Sequence, residues 1–447
     1  MRRILAMRLG CKAIATGLLV LTAIALMPAA ASAQVRGYRG GQMYTPQPYT
    51  LADSQPGMAV ATEPAVNTPP PAPPAGQPAA NPAPNYFAEE CEQAACPSPT
   101  FTPNMIGDLG GGSNYIWQTP FVPSTLPPPT LGAIPLNGGN RNFKISDNEN
   151  PVPQDRIFYD YNHFQKAVKG GNLTDPSPWN NIEWHNFGVE KTFLNGAVSL
   201  ELRIPFTSGV ASTQDATDLN VALATQIGNI PLVFKGLLIE RETWALSSGL
   251  GIVLPSAPDA AINLGGTDFL RFDNRAVHVQ PFLGLAWTPN DKFFAQLFMQ
   301  IDFDANGNPV QAADLFTGNL TRIGVLQDQA LMYVDFKVGR WVYKNPGGRF
   351  ITGIAPTLEL HYTTSLQDAD VVNDPNTFLS FGNPYNRIDM LNLTAGIHVE
   401  MGACTDVTLF AAAPLRGSRL EQDPFLGTDK IDRTSDAMFG VQVNRRF

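Results

Sequence analysis

The chain has 447 residues, of which only 15% are charged; it carries a net charge of −9 and 39 each of glycine and proline. An ordinary soluble domain carries about 25% charged residues, and a nucleic-acid binder needs clustered Lys and Arg, so nucleic acid is excluded as a partner. A mean hydropathy near zero excludes a polytopic helical membrane protein and leaves open a barrel with one apolar face.

Arg2, Arg3, Arg8 and Lys12 precede an apolar run over 13–27, and Ala31-Ser32-Ala33 then supplies small residues before Gln34. This is the tripartite pattern of a secretory signal peptide over 1–33, which predicts cleavage and export. Cys11 lies before the apolar run, so it is not placed as a lipoprotein cysteine. Beyond residue 33 no apolar stretch reaches the roughly 18 residues a membrane helix needs. Cys91 and Cys96 are close enough in sequence to close a small disulfide loop in an oxidising compartment, which leaves Cys404 over. The cysteines are too few for a zinc site, and no metal or cofactor is expected.

Residues 34–155 hold 23 of the 39 prolines, in runs such as Pro127-Pro128-Pro129. Such a segment buries too little apolar surface to offset its chain entropy. It reads as a disordered, partly polyproline tether in the periplasm. Short apolar islands, Tyr86-Phe87 and Tyr115-Ile116-Trp117, give it places to dock on the mouth of the next domain. A glycine run at 110–112 has no helix after it and is not a phosphate site.

From residue 156 the texture changes to a period of two. Val198, Leu200, Leu202, Ile204 and Phe206 share one face, opposite Ser199, Glu201 and Arg203. The same alternation runs through 293–303 and 391–401. A helix would place its apolar residues at i, i+3 and i+4, so these are strands. Several reach about ten residues, long enough to cross a bilayer at a tilt. Twelve emerge: 156–166, 182–193, 197–206, 231–241, 244–254, 276–288, 293–303, 329–343, 349–363, 387–401, 406–415 and 436–447. The connections alternate strictly between long and short, as in outer-membrane barrels with tight periplasmic turns and long external loops. An even strand number puts both ends of the barrel on the short-turn side. Residues 219–227 are also strand-like; counting them as a span would break the parity, so they are assigned to an external loop.

The chain ends on Phe447, behind the alternating Phe439, Val441 and Val443. This resembles the recognition strand that the barrel-assembly machinery reads, although Arg445 stands where that pattern favours an apolar residue. Residues 156–164, 188–206 and 228–255 resemble uncharacterised planctomycete-type outer-membrane β-barrel proteins. The last segment is also similar to the outer-membrane transporters named for the meta-pathway of phenol degradation. The resemblance covers about 155–447 and implies a barrel type with a transport role.

If the apolar faces meet lipid, the other faces line the lumen. That places Asp160, Glu190, Glu201, Arg203, Lys235, Asp335, Lys337, Glu359, His361, His398, Glu400 and Arg446 inside. Charges of both signs can pair into a network that fills the barrel, or line a polar path. Twelve strands lie between filled small barrels and wide porins, so both uses stay open. Glu359-x-His361 and His398-x-Glu400, on neighbouring strands, read as a hydrogen-bond network rather than a metal or acid–base cluster. None of the five histidines begins a His-x-Ser-Asn run, and no enzyme is expected. Asp302-x-Asp304-x-Asn306-Gly307 opens like a calcium loop, but position twelve is Ala313, so a turn is the better reading.

The fold expectation is therefore an all-β, closed antiparallel barrel of about twelve strands over 156–447, in the outer membrane and in contact with its lipid. The functional expectation is a passive channel or transporter for small solutes. The rival is a plugged structural or adhesive barrel that anchors the envelope.

Overall fold

The structure is a computed structural model. It describes residues 102–108, 113–118, 131–137, 143–172, 179–216, 221–314, 317–374, 376, 379–383, 385–417 and 429–447. Twelve long strands form the barrel: β1 Arg156–Val168, β2 Asn180–Phe193, β3 Val198–Val210, β4 Ile230–Glu240, β5 Trp244–Leu254 and β6 His278–Trp287. They continue with β7 Phe293–Asp304, β8 Leu331–Arg340, β9 Ile351–Ser365, β10 Tyr385–Met401, β11 Thr405–Pro414 and β12 Ala437–Arg446. Each pairs antiparallel with its neighbours in sequence, and β12 pairs back onto β1 through Val441↔Tyr161. Closure leaves no strand edge unpaired around the wall.

All twelve sequence-expected strands are present, shifted by at most a few residues at their ends. Residues 219–227 do not span. The short strand Ala224–Ile227 pairs with the upper part of β3, inside a long connection.

The short turns follow their residues. Leu194 and Asn195 take positive φ (52° and 58°) ahead of Gly196, the geometry a tight hairpin needs to match strand twist. The Asn290 side chain accepts hydrogen bonds from the amides of Lys292 and Phe293. The expected turn at 304–307 is also seen: Asp304 accepts from the amides of Asn306 and Gly307, and Asp302 is taken up by His278.

The period of two separates two environments. Ile157, Phe187, Phe234, Leu283, Phe336, Leu358, Leu409 and Phe439 lie exposed on the outer wall, while Arg156, Asp160, Glu201, Lys235, Asp335 and Glu359 are buried inside. A soluble protein would invert this. An apolar belt around a charged interior is what a bilayer selects.

The long connections fold into a cap over one mouth. One small sheet joins Thr213–Asp215, Ala260–Leu264, Thr267–Phe272, Asn308–Ala313 and Leu320–Leu326. A second joins Val371–Asn373, Ser380–Gly382, Ser113–Gln118, Leu131–Leu136 and Gly171–Asn172. Between them lies an apolar core with Tyr115, Trp117, Ile134, Phe272, Val310 and Phe381. Tyr115 stacks on Phe381 at 5.6 Å.

Candidate functional site

Two strands of that cap come from the segment read as a disordered tether. Within 34–155 the described residues are ordered instead. Ser113–Gln118 and Leu131–Leu136 form a hairpin in the cap, and 102–108 and 143–155 run through the barrel interior. The apolar island at Tyr115-Ile116-Trp117 docks as its composition suggested, but at the long-loop mouth. The island at Tyr86-Phe87 lies outside the described residues, as do Cys91 and Cys96. Cys404 is in a disulfide whose partner is also outside them, so it is not the leftover cysteine.

The chain enters at the short-turn end. Gln296, three residues into β7, donates to the Thr102 hydroxyl and to the Pro103 carbonyl. Lys337, the register partner of Gln296 on β8, donates to the Asn104 carbonyl at 2.5 Å. The amides of Ile106 and Gly107 then both donate to the Glu359 carboxylate, at 2.8 and 2.9 Å. Asp108 accepts from Asn392 at 2.7 Å. On the return, the amide of Ile145 donates to Gln300, and the Ser146 hydroxyl to Asp335. Asn148 donates to Asp160 at 2.6 Å, and the Gln154 amide to Glu190. The two passes touch each other where the Met105 amide donates to the Glu149 carbonyl.

Two glycines make room for this thread. A Cβ on Gly396 of β10 would lie 2.4 Å from Ile106 Cδ1. Gly107 turns the chain at φ +91°, and its added Cβ would collide with Asp147.

The interior charges form two groups. In the first, Arg156, Arg203 and Lys235 balance Glu149, Glu190 and Glu201. Arg156 meets Glu190 at 2.8 Å and Glu201 at 2.7 Å, and Lys235 meets Glu190 at 2.8 Å and also Glu149. Arg203 pairs with Glu201 and donates to the Asp147 carbonyl. In the second, Lys144 bridges Asp108 and Asp335 at 2.5 and 2.6 Å. His361 lies 2.9 Å from Asp335 and 3.1 Å from Glu359, which also pairs with Lys337 at 3.3 Å. Both groups have members on the thread: Glu149 supplies the third carboxylate that balances the three wall cations of the first, and Lys144 and Asp108 add one charge of each sign to the second. Stripping one partner from such a buried pair costs about 3–5 kcal/mol.

Of the nine residues singled out as lumen-lining, eight are buried inside: Glu201, Arg203, Lys235, Asp335, Lys337, Glu359, His361 and His398; Glu400 is half-buried. These wall charges pair with one another and with the thread. The His-x-Glu and Glu-x-His pairs on β9 and β10 do not meet, because the register sets Glu359 against Thr394 and His398 against Ala355. His398 Nδ1 lies instead 2.9 Å from the Thr408 hydroxyl. Asp108 with Asp335 and His361, and Glu149 with Glu190 and Glu201, bring three possible ligand atoms together. Lys144 lies within the first, and Arg156 and Lys235 within the second, so these cations already neutralise the carboxylates. Phe439 and Phe447 lie exposed on the outside, with Val441 and Val443 half-buried on the same face.

Residues 102–108 and 143–155 were missed as lumen residues because proline content dominated the reading. The signal was present: Lys144, Asp147, Glu149 and Asp155 concentrate charge at the end of a charge-poor segment. Two cavities beside the thread, one lined by Phe143 and Trp184 and one by Asp108 and Phe164, each measure about 10 Å³. That is at the threshold for a single water.

No family model matches the chain, and no curated protein matches it. Among solved structures, an outer membrane channel from Pseudomonas putida F1 is similar over 67% of this chain and 97% of its own, at 12% identity and a TM-score of 0.41. The NanC porin is similar over 65% of this chain and 100% of its own, at 8% identity and a TM-score of 0.35. The Pseudomonas putida toluene transporter TodX is similar over 70% and 96%, at 8% identity and a TM-score of 0.30. At such TM-scores these likenesses carry no argument about this chain. Its class rests on its own geometry: twelve-strand closure, an apolar outer belt and a charged interior define a membrane-spanning β-barrel of the outer-membrane type.

Proposed function

We propose that this protein is a sealed outer-membrane barrel. Its own N-terminal segment is threaded through the lumen, and it presents a folded cap on the outer face as a structural or adhesive element of the envelope. The observation that carries this reading is the double passage of the chain, pinned where Ile106 and Gly107 share the Glu359 carboxylate. The hairpin between the passes is built into the cap core, so leaving the lumen would also dismantle the cap. Export through the signal sequence 1–33 belongs to the same reading. So do insertion by the barrel-assembly machinery through Phe439, Val441, Val443 and Phe447 and kinship with the planctomycete-type barrels; a periplasmic place belongs only to the part of the N-terminal segment that precedes the thread. The reading assigns no catalysis.

A second reading is favoured by the chemistry of the wall. Glu201, Arg203, Lys235, Asp335, Lys337 and Glu359 are charged side chains that water could solvate if the thread withdrew. The barrel would then be a gated passage for small solutes, with these residues setting charge selectivity.

Threading is tested by labelling. In Gln118→Cys, a membrane-impermeant thiol reagent applied to intact cells should label the chain above the parent background. Labelling that appears only after the outer membrane is opened would contradict the threaded arrangement.

A further inference from the structure

The outer wall is mainly apolar, with Arg340 and Arg445 near its short-turn rim, and a polar patch lies across β1 and β2. There Tyr159, Tyr161 and His163 alternate outward on β1, beside His185 and Glu183 on β2. The patch is flanked by Phe187 and Phe439, each 50% exposed. His163 Nδ1 lies 2.7 Å from Glu183, and the Tyr161 hydroxyl donates to the same carboxylate. The Tyr159 hydroxyl lies 2.8 Å from His185 Nδ1. With that hydroxyl donating, the proton of a neutral His185 ring sits on Nε2. With Glu183 accepting, the proton of His163 sits on Nδ1, and a second proton places a donor at Nε2.

A second observation lies just above, toward the long loops. The pairing of β1 with β2 is interrupted between Phe164 and Val168. There Lys166 takes a φ of +51°, with its amide donating to the Asn181 side chain. A non-glycine residue rarely adopts that conformation, and such strain persists where it re-aims a side chain. The Lys166 side chain is half-exposed and lies 3.1 Å from Asp436, which Arg433 approaches at 3.6 Å. Among the described residues, the charged groups beside the two imidazoles include Lys166, Arg433, Asp436 and Glu183.

Ionisable groups on a lipid-facing wall are rare even when paired with one another, and they mark a functional site by default. Their place in the half of the strands toward the long loops puts that site in the outer leaflet. We propose that this patch binds the phosphate of an outer-leaflet lipid, with Lys166, His163 and His185 directed at the phosphate and the flanking Phe187 and Phe439 against the acyl chains. The site is on the outside of the wall and is independent of whether the lumen conducts.

The test uses the full mature chain, folded in a non-ionic detergent and checked by its heat-dependent gel shift. It is titrated with phosphatidylglycerol, and bound phosphorus per barrel is measured after gel filtration. The wild type should retain the lipid, and His163→Gln/Lys166→Gln should bind it about tenfold more weakly, the loss expected for a charge-assisted contact. A galactosyl diglyceride, which lacks phosphate, should not be retained. If the double variant gives no folded band, His185→Gln is measured in the same way. Equal binding by wild type and variant, or equal retention of the galactosyl lipid, would overturn the proposal. Displacement of the lipid by excess inorganic phosphate would reassign the patch to a free anion. A lipid-independent dimer that the variant abolishes would reassign it to a second copy of the chain.

Discussion

Glu359 is the residue on which the lumen turns. It accepts from two backbone amides of the thread, pairs with Lys337 and lies beside His361. In Glu359→Gln, a buried Lys337 loses its counter-charge and one thread amide loses its better acceptor. The expected cost is about 3–5 kcal/mol of stability, read as a lower urea midpoint of the folded band. An unchanged midpoint would show that the pairing is incidental. Gly107→Ala attacks the thread from the other side, because φ +91° and the Asp147 contact leave no place for a Cβ. It should cost about 1–3 kcal/mol and raise amide exchange around 104–108 while leaving strand amides protected; uniform exchange would contradict a separable thread. The side-chain inventory of the lumen was legible, since alternation alone sorts Glu201 and Lys235 inward. Its partners were not, because Asn104, Ser146 and Glu149 are brought in from 86 to 233 residues away in sequence and are fixed only by closure.

At the scale of elements, strands were legible because a membrane imposes two solvents on one chain. Val198 to Phe206 and Phe293 to Phe303 carry that signature unmixed. The cap was not legible, since its strands are two to seven residues long and pair across connections far apart in sequence, such as Ser113–Gln118 with Ser380–Gly382. A pH dependence belongs here. Burial raises the pKa of Asp259, but its hydrogen bonds from the Asn274 amide, Arg275 and Arg271 outweigh that and hold it below the usual carboxylate range. A depressed folded pKa contributes stability that is complete above the unfolded carboxylate pKa of about 4 and is lost as pH falls through the lower folded value. The cap should therefore resist protease from neutral pH down to about 4 and become sensitive below it. If Asp259→Asn shows the same acid transition, another group is responsible.

At the scale of the whole molecule, a closed wall encloses a chain that enters and leaves by the same mouth. The amide of Phe447, the last residue, donates to the carbonyl of Asp155, where the thread becomes the wall. Thread, cap and barrel are thus one topological unit, and the barrel closes around its own N-terminal segment. Removing residues 34–155 should leave the apolar belt intact and uncover a charged lumen, so the truncated barrel should conduct, with a cation preference that falls when Glu201, Asp335 and Glu359 are neutralised; a preference that does not move would remove those residues from the path.

The most direct test of the sealed barrel is the conductance of the intact mature chain in a planar bilayer, on protein shown to be folded by its heat-dependent gel shift. The sealed arrangement predicts a silent membrane. Regular current steps from the intact chain would contradict it.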